Sequence, residues 1–395
     1  MAANPRIALI GGGIGGLAAA IALRQRGFEP VVFEQADRLK EVGAGIQITP
    51  NSTRILRALG LEDAVRKRGF EPGYMLTRDM VTGEVLFRTK AKGAMAERFG
   101  AGWFQIHRAD LLDILTSALG GADIRLNAPC VAVEPAASGA TVEIGGGKRE
   151  PFDVVVGCDG IRSLVRATLH GEQSVRFTGN MCWRALVPIS ALPDNQLEPV
   201  MNYWMGRRGH VVAYFVRGGT LINLVVVTET DQWVEESWSV EGRREEMLAA
   251  FPKAHRSLRI LLESVERCFK WGLFDRDPLP RWGQGRVTLL GDAAHPMLPF
   301  LSQGAASAIE DGYVLARELV RAPHDPGAAL SAYEAERRPR TARIQLAARA
   351  QGEVFHLHSP WARIKRALRL DRFEKPRADL LSKDWIYSYD PIASQ

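Results

Sequence analysis

The sequence RIALIGGGIGG at residues 6–16 constrains the fold of this chain more than any other stretch. An apolar run at residues 7–10 leads into Gly11, Gly13 and Gly16, and an alanine-rich segment typical of a helix follows. In a strand–turn–helix unit of this kind, the first glycine permits a tight turn and the second lets a pyrophosphate approach the backbone, while the third allows close packing of helix and strand. The helix N-terminus adds unpaired N–H groups and a partial positive charge. The motif predicts a dinucleotide-binding α/β fold.

A second apolar strand, PVVFE at residues 30–34, supports this prediction. It ends in Glu34, whose carboxylate can accept hydrogen bonds from ribose hydroxyls and disfavours a 2′-phosphate. A glycine-rich turn with a purely structural role is the alternative, but strand, loop, helix, strand and acid occur here in the expected order. The motif alone does not distinguish NAD from FAD.

The composition excludes several other classes of protein. The chain has 395 residues, of which 46% are hydrophobic and 24% charged, as is typical of a globular protein with a large core. Its formal charge of +6 comes without a long block of like charges, so no nucleic-acid partner is expected. The four cysteines form no CxxC pair, which argues against a metal site and for a reducing compartment. The uncharged residues 7–23 contain five glycines, so we expect a cytoplasmic protein without a signal peptide or membrane span.

Three further stretches place polar residues at the ends of apolar strands. In FQIHRADLL the predicted strand ends at Arg108, and in FDVVVGCDGIRSLVR it ends at Asp159-Gly160. In GRVTLLGDAAHPMLPFLSQGAASA the predicted strand ends at Asp292, and a helix is predicted from about Gly304. Taken singly, they are typical of a surface salt bridge, a turn and a helix cap. FAD, however, is long and needs a second anchor, for which a carboxylate and a helix N-terminus are suited. No second GxGxxG occurs, which favours FAD as the resident cofactor and a nicotinamide nucleotide as a transient visitor.

Taken together and in this order, these stretches resemble the FAD-binding fold of the single-component (group A) FAD-dependent aromatic hydroxylases, the para-hydroxybenzoate hydroxylase class. Within that class the chain is most similar to salicylate hydroxylases, 3-hydroxybenzoate 6-hydroxylases and 6-hydroxynicotinate 3-monooxygenases. The resemblance covers essentially the whole chain, and it includes EVGAGIQITPNS at residues 41–52 and GEVFHLHSPWARI at residues 352–364.

The resemblance implies the positions that bind the cofactor. The glycine loop and Glu34 would hold the ADP half of FAD, Arg108 the ribityl and pyrophosphate region, and Asp292 a ribityl hydroxyl. Val131 would contact adenine through its backbone, and Asp159 resembles a motif implicated in contact with both pyrophosphate and nicotinamide nucleotide. The complete predicted set is Gly11, Gly13, Gly15, Gly16, Glu34, Gly45, Arg108, Val131, Asp159, Asp292, Gly304 and Ala305.

The middle of the chain has a different pattern. Short runs rich in aromatic and β-branched residues, such as HVVAYFVRGG and TLINLVVVTE, alternate with Gly, Pro and Asp, which predicts antiparallel strands. Residues 74–89 predict a hairpin that turns at Thr82-Gly83, and residues 241–251 predict a helix. We expect a Rossmann-like FAD-binding domain with an inserted mixed β-sheet substrate domain and C-terminal helices. The predicted boundaries are residues 1–73, 100–175 and 276–340 for the first domain, 74–99 and 176–275 for the second, and 341–395 for the helical region.

Such a sheet would cover the flavin, and the chemistry implied by the resemblance requires a cover. The reaction implied by the resemblance passes through a C4a-hydroperoxyflavin, which decays to hydrogen peroxide unless water is excluded. The electrophilic oxygen then attacks an aromatic ring that carries a hydroxyl group. Ionising that hydroxyl, whose pKa is about 10 in a free phenol, makes the ring a stronger nucleophile, so a nearby base would help.

His210 and Tyr214 are the predicted proton-transfer residues. They are four residues apart in a predicted strand and therefore share one face, and both match residues in the substrate pockets of the related hydroxylases. Gln303 is the third predicted catalytic residue, because it matches a polar position beside the substrate hydroxyl in some related hydroxylases, although others differ there. Pro299 matches a proline beside the substrate and is, with Gln47, a predicted substrate-binding residue. Gln47 lies where hydroxynicotinate enzymes have a histidine, a departure that weakens the assignment of a pyridine substrate. A surface histidine and a core tyrosine are the alternatives for the first two.

The remaining expectations are structural. Arg217 points away from Tyr214 in a regular strand and is expected on the surface, while His295 is expected to shape its loop. SAYEAERRPRTARIQLAARAQ predicts a long helix interrupted near Pro339. The basic segment SPWARIKRALRL at residues 359–370 predicts a helix that packs on the body of the protein or on a second copy in a homodimer, with membrane-surface binding or an anion-binding patch as the alternatives.

The sequence therefore predicts a monooxygenase that uses FAD, NADH or NADPH, and O2 to hydroxylate a small hydroxylated aromatic acid. Salicylate, 3-hydroxybenzoate and hydroxynicotinates are the candidate substrates, with or without accompanying decarboxylation. An epoxidase-type flavin enzyme on the same fold and a non-catalytic FAD-binding protein are the alternatives. The WxWxIP pattern of flavin halogenases is absent.

Overall fold

A computed structural model describes residues 4–39, 44–193, 198–231, 240–356 and 383–393. The strands are β1 (Ile7–Ile10), β2 (Val31–Phe33), β3 (Gly45–Ile48), β4 (Tyr74–Asp79), β5 (Val85–Lys90), β6 (Phe104–His107), β7 (Asp123–Arg125), β8 (Cys130–Ala136), β9 (Gly139–Ile144), β10 (Lys148–Phe152), β11 (Val154–Gly157), β12 (Arg176–Pro188), β13 (Met201–Gly206), β14 (Gly209–Val216), β15 (Leu221–Glu229), β16 (Glu241–Gly242), β17 (Cys268–Asp275) and β18 (Val287–Leu289). The helices are α1 (Ile14–Arg24), α2 (Pro50–Ala58), α3 (Glu62–Arg68), α4 (Ala94–Phe99), α5 (Arg108–Ala118), α6 (Leu164–His170), α7 (Arg244–Ala249), α8 (Arg256–Glu263), α9 (Gly304–Arg321), α10 (Pro326–Phe355) and α11 (Asp384–Tyr387).

A five-stranded parallel sheet of order β18-β11-β1-β2-β7 forms the predicted nucleotide-binding layer. Strands β1, β11 and β18 are buried along their whole length and apolar except for Thr288 in β18, as expected for parallel strands that are covered on both faces. Helices α1 and α9 pack so closely that a Cβ atom at Gly312 would lie 2.7 Å from the backbone nitrogen of Ala19. Gly11, Cys158 and Leu290 directly follow three neighbouring strands, so they meet at the carboxyl edge where ligands bind in such sheets.

An eight-stranded mixed sheet of order β16-β17-β12-β15-β14-β13-β4-β5 confirms the predicted β-rich middle of the chain. Its neighbouring strands pair antiparallel except for β13 and β4, which are parallel. The predicted hairpin is present as β4 and β5, and Gly83 in its turn has a φ of +76°. The remaining strands form the antiparallel meander β8-β9-β10 and the antiparallel pair β3-β6.

The pair β3-β6 connects the two large sheets. The backbone N–H of Gly45, at the start of β3, donates a 2.6 Å hydrogen bond to Oδ1 of Asn223 on β15. A Cβ atom at Gly45 would lie 2.6 Å from the ring of Tyr214, so this approach requires glycine. The contact fixes the face of the mixed sheet over the nucleotide-binding layer. The domain boundaries given above stay a prediction.

Two predicted helices differ from the structure. Residues 241–251 contain the short strand β16 before α7, so that helix is shorter than predicted. Helix α10 is not interrupted but continues through Pro339. Proline removes one helical hydrogen bond, but the side chains on either side of it are fixed, because Arg337 and Arg340 both bind Glu310 on α9.

The C-terminal segment 383–393 packs on α10. The guanidinium of Arg340 lies 4.1 Å from the ring centroid of Tyr389, and that of Arg343 lies 4.0 Å from the ring centroid of Trp385. The basic segment at residues 359–370, with its predicted helix, lies outside the described residues. Among the helices that can be described, none combines the length and apolar character needed to cross a bilayer.

Candidate active site

A cavity of about 740 Å³ joins the carboxyl edge of the parallel sheet to one face of the mixed sheet. This volume lies in the range of small-molecule sites. The glycine loop after β1 and the turn after β18 lie almost three hundred residues apart in the chain and both line it. Its lining includes Gly11, Gly13, Gly15, Glu34, Gly45, Gln47, Arg108, Asp159, Arg162, Arg184, Tyr203, His210, Tyr214, Asp292, Met297, Pro299, Phe300, Gly304, Ala305 and Phe355.

The glycine loop has the geometry that its sequence predicts. Gly11 has a φ of +114°, and a Cβ atom there would lie 2.4 Å from the carbonyl oxygen of Cys158. A Cβ atom at Gly16 would lie 2.0 Å from the carbonyl oxygen of Gly11, so this glycine keeps α1 close to the loop. A Cβ atom at Gly13 would meet nothing within 4 Å. The N-terminus of α1 is therefore open toward the cavity at the position where a phosphate would approach.

Glu34 is held at the rim of this loop by backbone donors. The N–H of Gly12 donates to its Oε2 at 2.7 Å, and the N–H of Ala36 donates to its Oε1 at 2.9 Å. Each carboxylate oxygen can accept a further hydrogen bond. The oriented carboxylate can therefore still accept a hydrogen bond from a ribose hydroxyl.

The turn after β18 forms the opposite end of the cavity. Asp292 is an exposed residue that lines the cavity, and desolvation by the protein atoms around it raises the pKa of its carboxyl group, although His295 and Arg108 partly offset the effect. Burial lowers the pKa of Arg108 to about 10, an effect that Asp292 partly offsets. A carboxylate and a cation thus face one cavity, beside the N-terminus of the 18-residue helix α9 at Gly304.

Asp159 lies between these two ends and has unused bonding capacity. Its Oδ2 accepts a 3.2 Å hydrogen bond from the N–H of Val165, but its Oδ1 is buried without a partner among the described residues. Burial raises the pKa of this carboxyl group. An unsatisfied buried acceptor costs free energy that a ligand donor would offset. This orphan acceptor, the open space at Gly13 and the carboxylates at both ends all fit an extended dinucleotide.

The mixed sheet presents a polar and aromatic face to the cavity. Tyr203, Val212, Val225 and Arg184 form one row across β13, β14, β15 and β12, and all four line the cavity. His210 and Tyr214 flank Val212 on β14, so the predicted sharing of one face by these two residues is confirmed. The face therefore combines a cation, two phenols and an imidazole.

The ionisation of these groups follows from their burial. Desolvation raises the pKa of Tyr214 to about 12, with Arg184 acting in the opposite direction, so its hydroxyl remains protonated at neutral pH. Desolvation holds the pKa of His210 well below its usual range, and a positive charge on the neighbouring His356 would lower it further. At neutral pH His210 is therefore a neutral imidazole that can accept a proton, and Tyr214 is a hydrogen-bond donor.

The other predicted site residues fall into two groups. Gln47 and Pro299 line the cavity with the residues already described, whereas Gly16, Val131 and Gln303 do not. Val131 is 47% exposed, although its neighbour Cys130 lines the cavity.

Gln303 is fully buried and faces away from the cavity. Its Nε2 donates to Oγ1 of Thr49 at 3.1 Å, and its Oε1 accepts from Nδ2 of Asn51 at 3.0 Å. In this position Gln303 braces the start of α9 against α2. As predicted, Arg217 is on the surface, where its Nε lies 3.3 Å from Asp110.

Sequence reasoning missed several residues at the site. Arg184 and Tyr203 depend on strand pairing that the sequence does not display. Two phenylalanines pack around His210, with ring centroids at 5.3 Å for Phe300 and 4.7 Å for Phe355. Phe355 lies in GEVFHLHSPWARI at residues 352–364, a stretch that shares the family resemblance and could have indicated this residue.

A buried ionic network fixes the turn and α9. Asp311 accepts hydrogen bonds from the N–H of Gly291 at 3.0 Å and from Arg337 at 2.7 Å, and its Oδ2 lies 2.6 Å from Nε2 of His295. Arg337 also lies 2.6 Å from Glu310, and neither side chain of this pair is exposed. His295 therefore shapes the loop as predicted.

Comparison with known proteins agrees with this site. The profile of a family described as FAD binding domain matches residues 5–348. A 3-amino-4-hydroxybenzoate 2-monooxygenase of Streptomyces platensis is 41% identical over 396 residues, covering 99% of this chain and 98% of that protein. A 6-hydroxynicotinate 3-monooxygenase of Pseudomonas fluorescens is 36% identical over 350 residues, covering 87% and 90%. A solved substrate complex of salicylate hydroxylase is 30% identical, with a TM-score of 0.83 and coverage of 98% and 96%.

The chain therefore belongs to this FAD-binding-domain family of flavoproteins. Because relatives of similar length over nearly the whole chain are aromatic-acid monooxygenases and hydroxylases, it is an FAD-dependent aromatic-ring monooxygenase. The expectations for fold class, cofactor and enzyme class are thus confirmed.

Asp292→Ala is expected to weaken FAD retention by about 10-fold or more, since a hydrogen bond to a charged group contributes roughly 1.5–3 kcal/mol. The measurement is the FAD dissociation constant from flavin fluorescence. Asp153→Ala is the matched control, because its carboxylate accepts from the N–H of Arg6 away from the cavity. Equal FAD affinity in wild type and Asp292→Ala would remove this residue from the cofactor site.

Proposed function

We propose that this protein hydroxylates a small aromatic acid that already carries a ring hydroxyl, with electrons from NADH or NADPH and one oxygen atom from O2. The observation that carries the proposal is a single cavity that joins both dinucleotide anchors to a face with Arg184, His210 and Tyr214. The names of the relatives specify 3-amino-4-hydroxybenzoate and 6-hydroxynicotinate, and a hydroxybenzoate, with or without an amino group, matches this set of side chains.

The cofactor would extend from the glycine loop to α9. Gly11, Gly13, Gly15 and Glu34 would hold its ADP half, and Arg108, Asp159, Asp292, Gly304 and Ala305 the remainder. FAD bound there supplies the activation of O2. Cytoplasmic localisation and a homodimer stay predictions.

The substrate would lie against the mixed sheet, beside the aromatic side chains of Phe300 and Phe355. Its ring hydroxyl would face His210, which accepts the proton, and Tyr214, which donates a hydrogen bond. The buried strands β14 and β15 would exclude water from the reacting atoms. In this arrangement deprotonation by His210 makes the substrate ring electron-rich, and the sheet excludes water from the reacting atoms.

Arg184 would bind the carboxylate of the substrate. It lines the cavity, and no carboxylate of the described residues lies within ion-pair distance of it. Arg184→Met is expected to raise KM for the aromatic acid by about 10–100-fold, the range for a lost charge-assisted hydrogen bond. Arg217→Met, on the surface beside Asp110, is the control and should leave KM unchanged. Loss of FAD with an unaltered KM would assign Arg184 to the cofactor instead.

The proposed function is tested by a substrate screen. NADH and NADPH oxidation would be measured with hydroxybenzoates, aminohydroxybenzoates, hydroxynicotinates and catechols, and the mass of each product recorded. A product that gains one oxygen atom is expected for at least one hydroxylated acid, and replacement of a carboxyl group by a hydroxyl would reveal decarboxylation. A yellow holoprotein whose oxidation of both nicotinamide nucleotides no phenolic acid stimulates would contradict the proposal.

A further inference from the structure

His210 is hydrogen-bonded to a second buried histidine. Its Nδ1 lies 2.8 Å from Nε2 of His356, which caps the C-terminal end of α10. Only 3% of His210 and 5% of His356 is exposed. The cavity is therefore connected through His210 to a group that does not line it.

The connection continues to the protein surface. Nδ1 of His356 lies 3.3 Å from Oε1 of Glu229 at the end of β15. The Glu229 side chain is 24% exposed and lies 3.3 Å from Nε of Arg208, whose side chain is 53% exposed. His210, His356 and Glu229 thus form a continuous path from the cavity to solvent.

The chemistry of the partners assigns the protons along this path. An ionised Glu229 only accepts hydrogen bonds, so Nδ1 of His356 carries the proton in their contact. Nε2 of neutral His356 then has the lone pair and accepts from Nδ1–H of His210. This leaves Nε2 of His210 as its accepting atom. The resting arrangement is a histidine that is ready to take a proton from a ligand in the cavity.

We propose that His356 and Glu229 are positioning residues of a proton relay that carries the substrate's phenolic proton from His210 to solvent. The inference rests on the proposed function. The phenolic O–H breaks as a bond to Nε2 of His210 forms, and the phenolate keeps the electron pair. The Nδ1 proton of His210 then passes to Nε2 of His356, and the Nδ1 proton of His356 passes to Glu229, so one proton leaves the site and no other atom is transferred.

The surroundings of His210 explain why a relay is needed. The rings of Phe300 and Phe355 pack on this imidazole, and burial among them disfavours its charged form. A proton accepted by His210 is therefore unstable there and must move on. His356 is the adjacent polar group, and the paired carboxylate Glu229 is the first group with access to solvent.

Ionisation of a bound phenol tests the relay without catalytic turnover. Oxidised holoenzyme would be mixed in a stopped-flow instrument with 4-hydroxy-3-nitrobenzoate at a pH below the pKa of its phenol, and the phenolate absorbance followed. His356→Gln and Glu229→Gln are expected to slow its appearance by about 10-fold or more, part of the effect of general acid–base catalysis. Glu229→Asp keeps a carboxylate and should restore most of the rate.

A matched control and an activity measurement distinguish the outcomes. Glu246→Gln breaks a partly exposed ion pair with Lys270 at 2.8 Å in the same β-rich region and should leave the phenolate rate unchanged. Wild-type rates in both His356→Gln and Glu229→Gln, with wild-type hydroxylation intact, would overturn the relay alone. A wild-type enzyme that neither ionises the probe nor hydroxylates any phenolic acid would overturn the proposed function and the relay with it.

Discussion

His210→Ala is expected to slow hydroxylation by about 10²-fold or more while FAD remains bound, because the substitution removes the proposed base for the ring hydroxyl. The neutral phenol is a weaker nucleophile than the phenolate, so oxygen that has been activated is lost as hydrogen peroxide. The ratio of product formed to NADH consumed is therefore expected to fall. Product yield, peroxide and the flavin absorption spectrum are the three quantities to measure.

The control for this variant lies on the opposite face of the same sheet. His255 is stacked on Trp204, with ring centroids 6.1 Å apart, and it does not line the cavity. His255→Gln should leave the ratio of product to NADH at the wild-type value. Full coupling in His210→Ala would show that this histidine does not assist the reaction.

Arg337→Met is expected to lower the free energy of unfolding by about 3–5 kcal/mol, the range for removing one partner of a buried ion pair. The side chain is fully buried and binds both Glu310 and Asp311. Methionine would leave part of that negative charge uncompensated beneath the turn at Gly291. Chemical denaturation followed by tryptophan fluorescence measures the change.

The adjacent arginine is a matched control. Arg338 is 39% exposed and lies 3.6 Å from Glu334, and Arg338→Met should cost about 1 kcal/mol or less, as is typical of surface ion pairs. Equal losses in the two variants would contradict the role of the buried network.

The loss in Arg337→Met should also depend on pH. Burial alone would raise the pKa of Glu310 and Asp311. The charges of Arg340 and Arg337 instead hold the pKa of Glu310 below its usual range. His295 and Arg337 do the same for the pKa of Asp311. Carboxyl groups with a lowered pKa in the folded state stabilise the protein above their unfolded pKa, and this contribution is lost as the pH falls through the folded pKa. The difference between wild type and Arg337→Met is therefore expected to shrink below about pH 4.

The nucleotide-binding half of the site could be predicted from local patterns. Gly11, Glu34, Asp159 and Asp292 each lie within three residues of the end of an apolar strand, and the carboxyl ends of parallel strands meet at one edge. His210 and Tyr214 could be placed on one face because the period of a strand is two residues. In each case the position follows from short-range geometry.

The remainder of the site depends on contacts between distant segments. Arg184 and Tyr203 face the cavity because β15 and β14 lie between their strands, an order that the chain sequence does not display. His356 lies 146 residues from its partner His210. Gln303 directly precedes α9 as predicted. Its side chain, however, binds Thr49 and Asn51 rather than facing the cavity, and the residue before it, Ser302, has a left-handed backbone with a φ of +57°. Pro339 lies within a helix whose contacts to α9 override the local preference for a break.

A crystal structure of the holoprotein with a hydroxybenzoate would test the central claim most directly. One FAD molecule is expected to extend through the cavity, with its adenosine beside Glu34 and its flavin between Gly304 and the row of Val212 and Val225. The substrate hydroxyl should lie within hydrogen-bond distance of Nε2 of His210. A flavin that lies away from the turn after Gly291, or a substrate hydroxyl that points away from β14, would contradict this account.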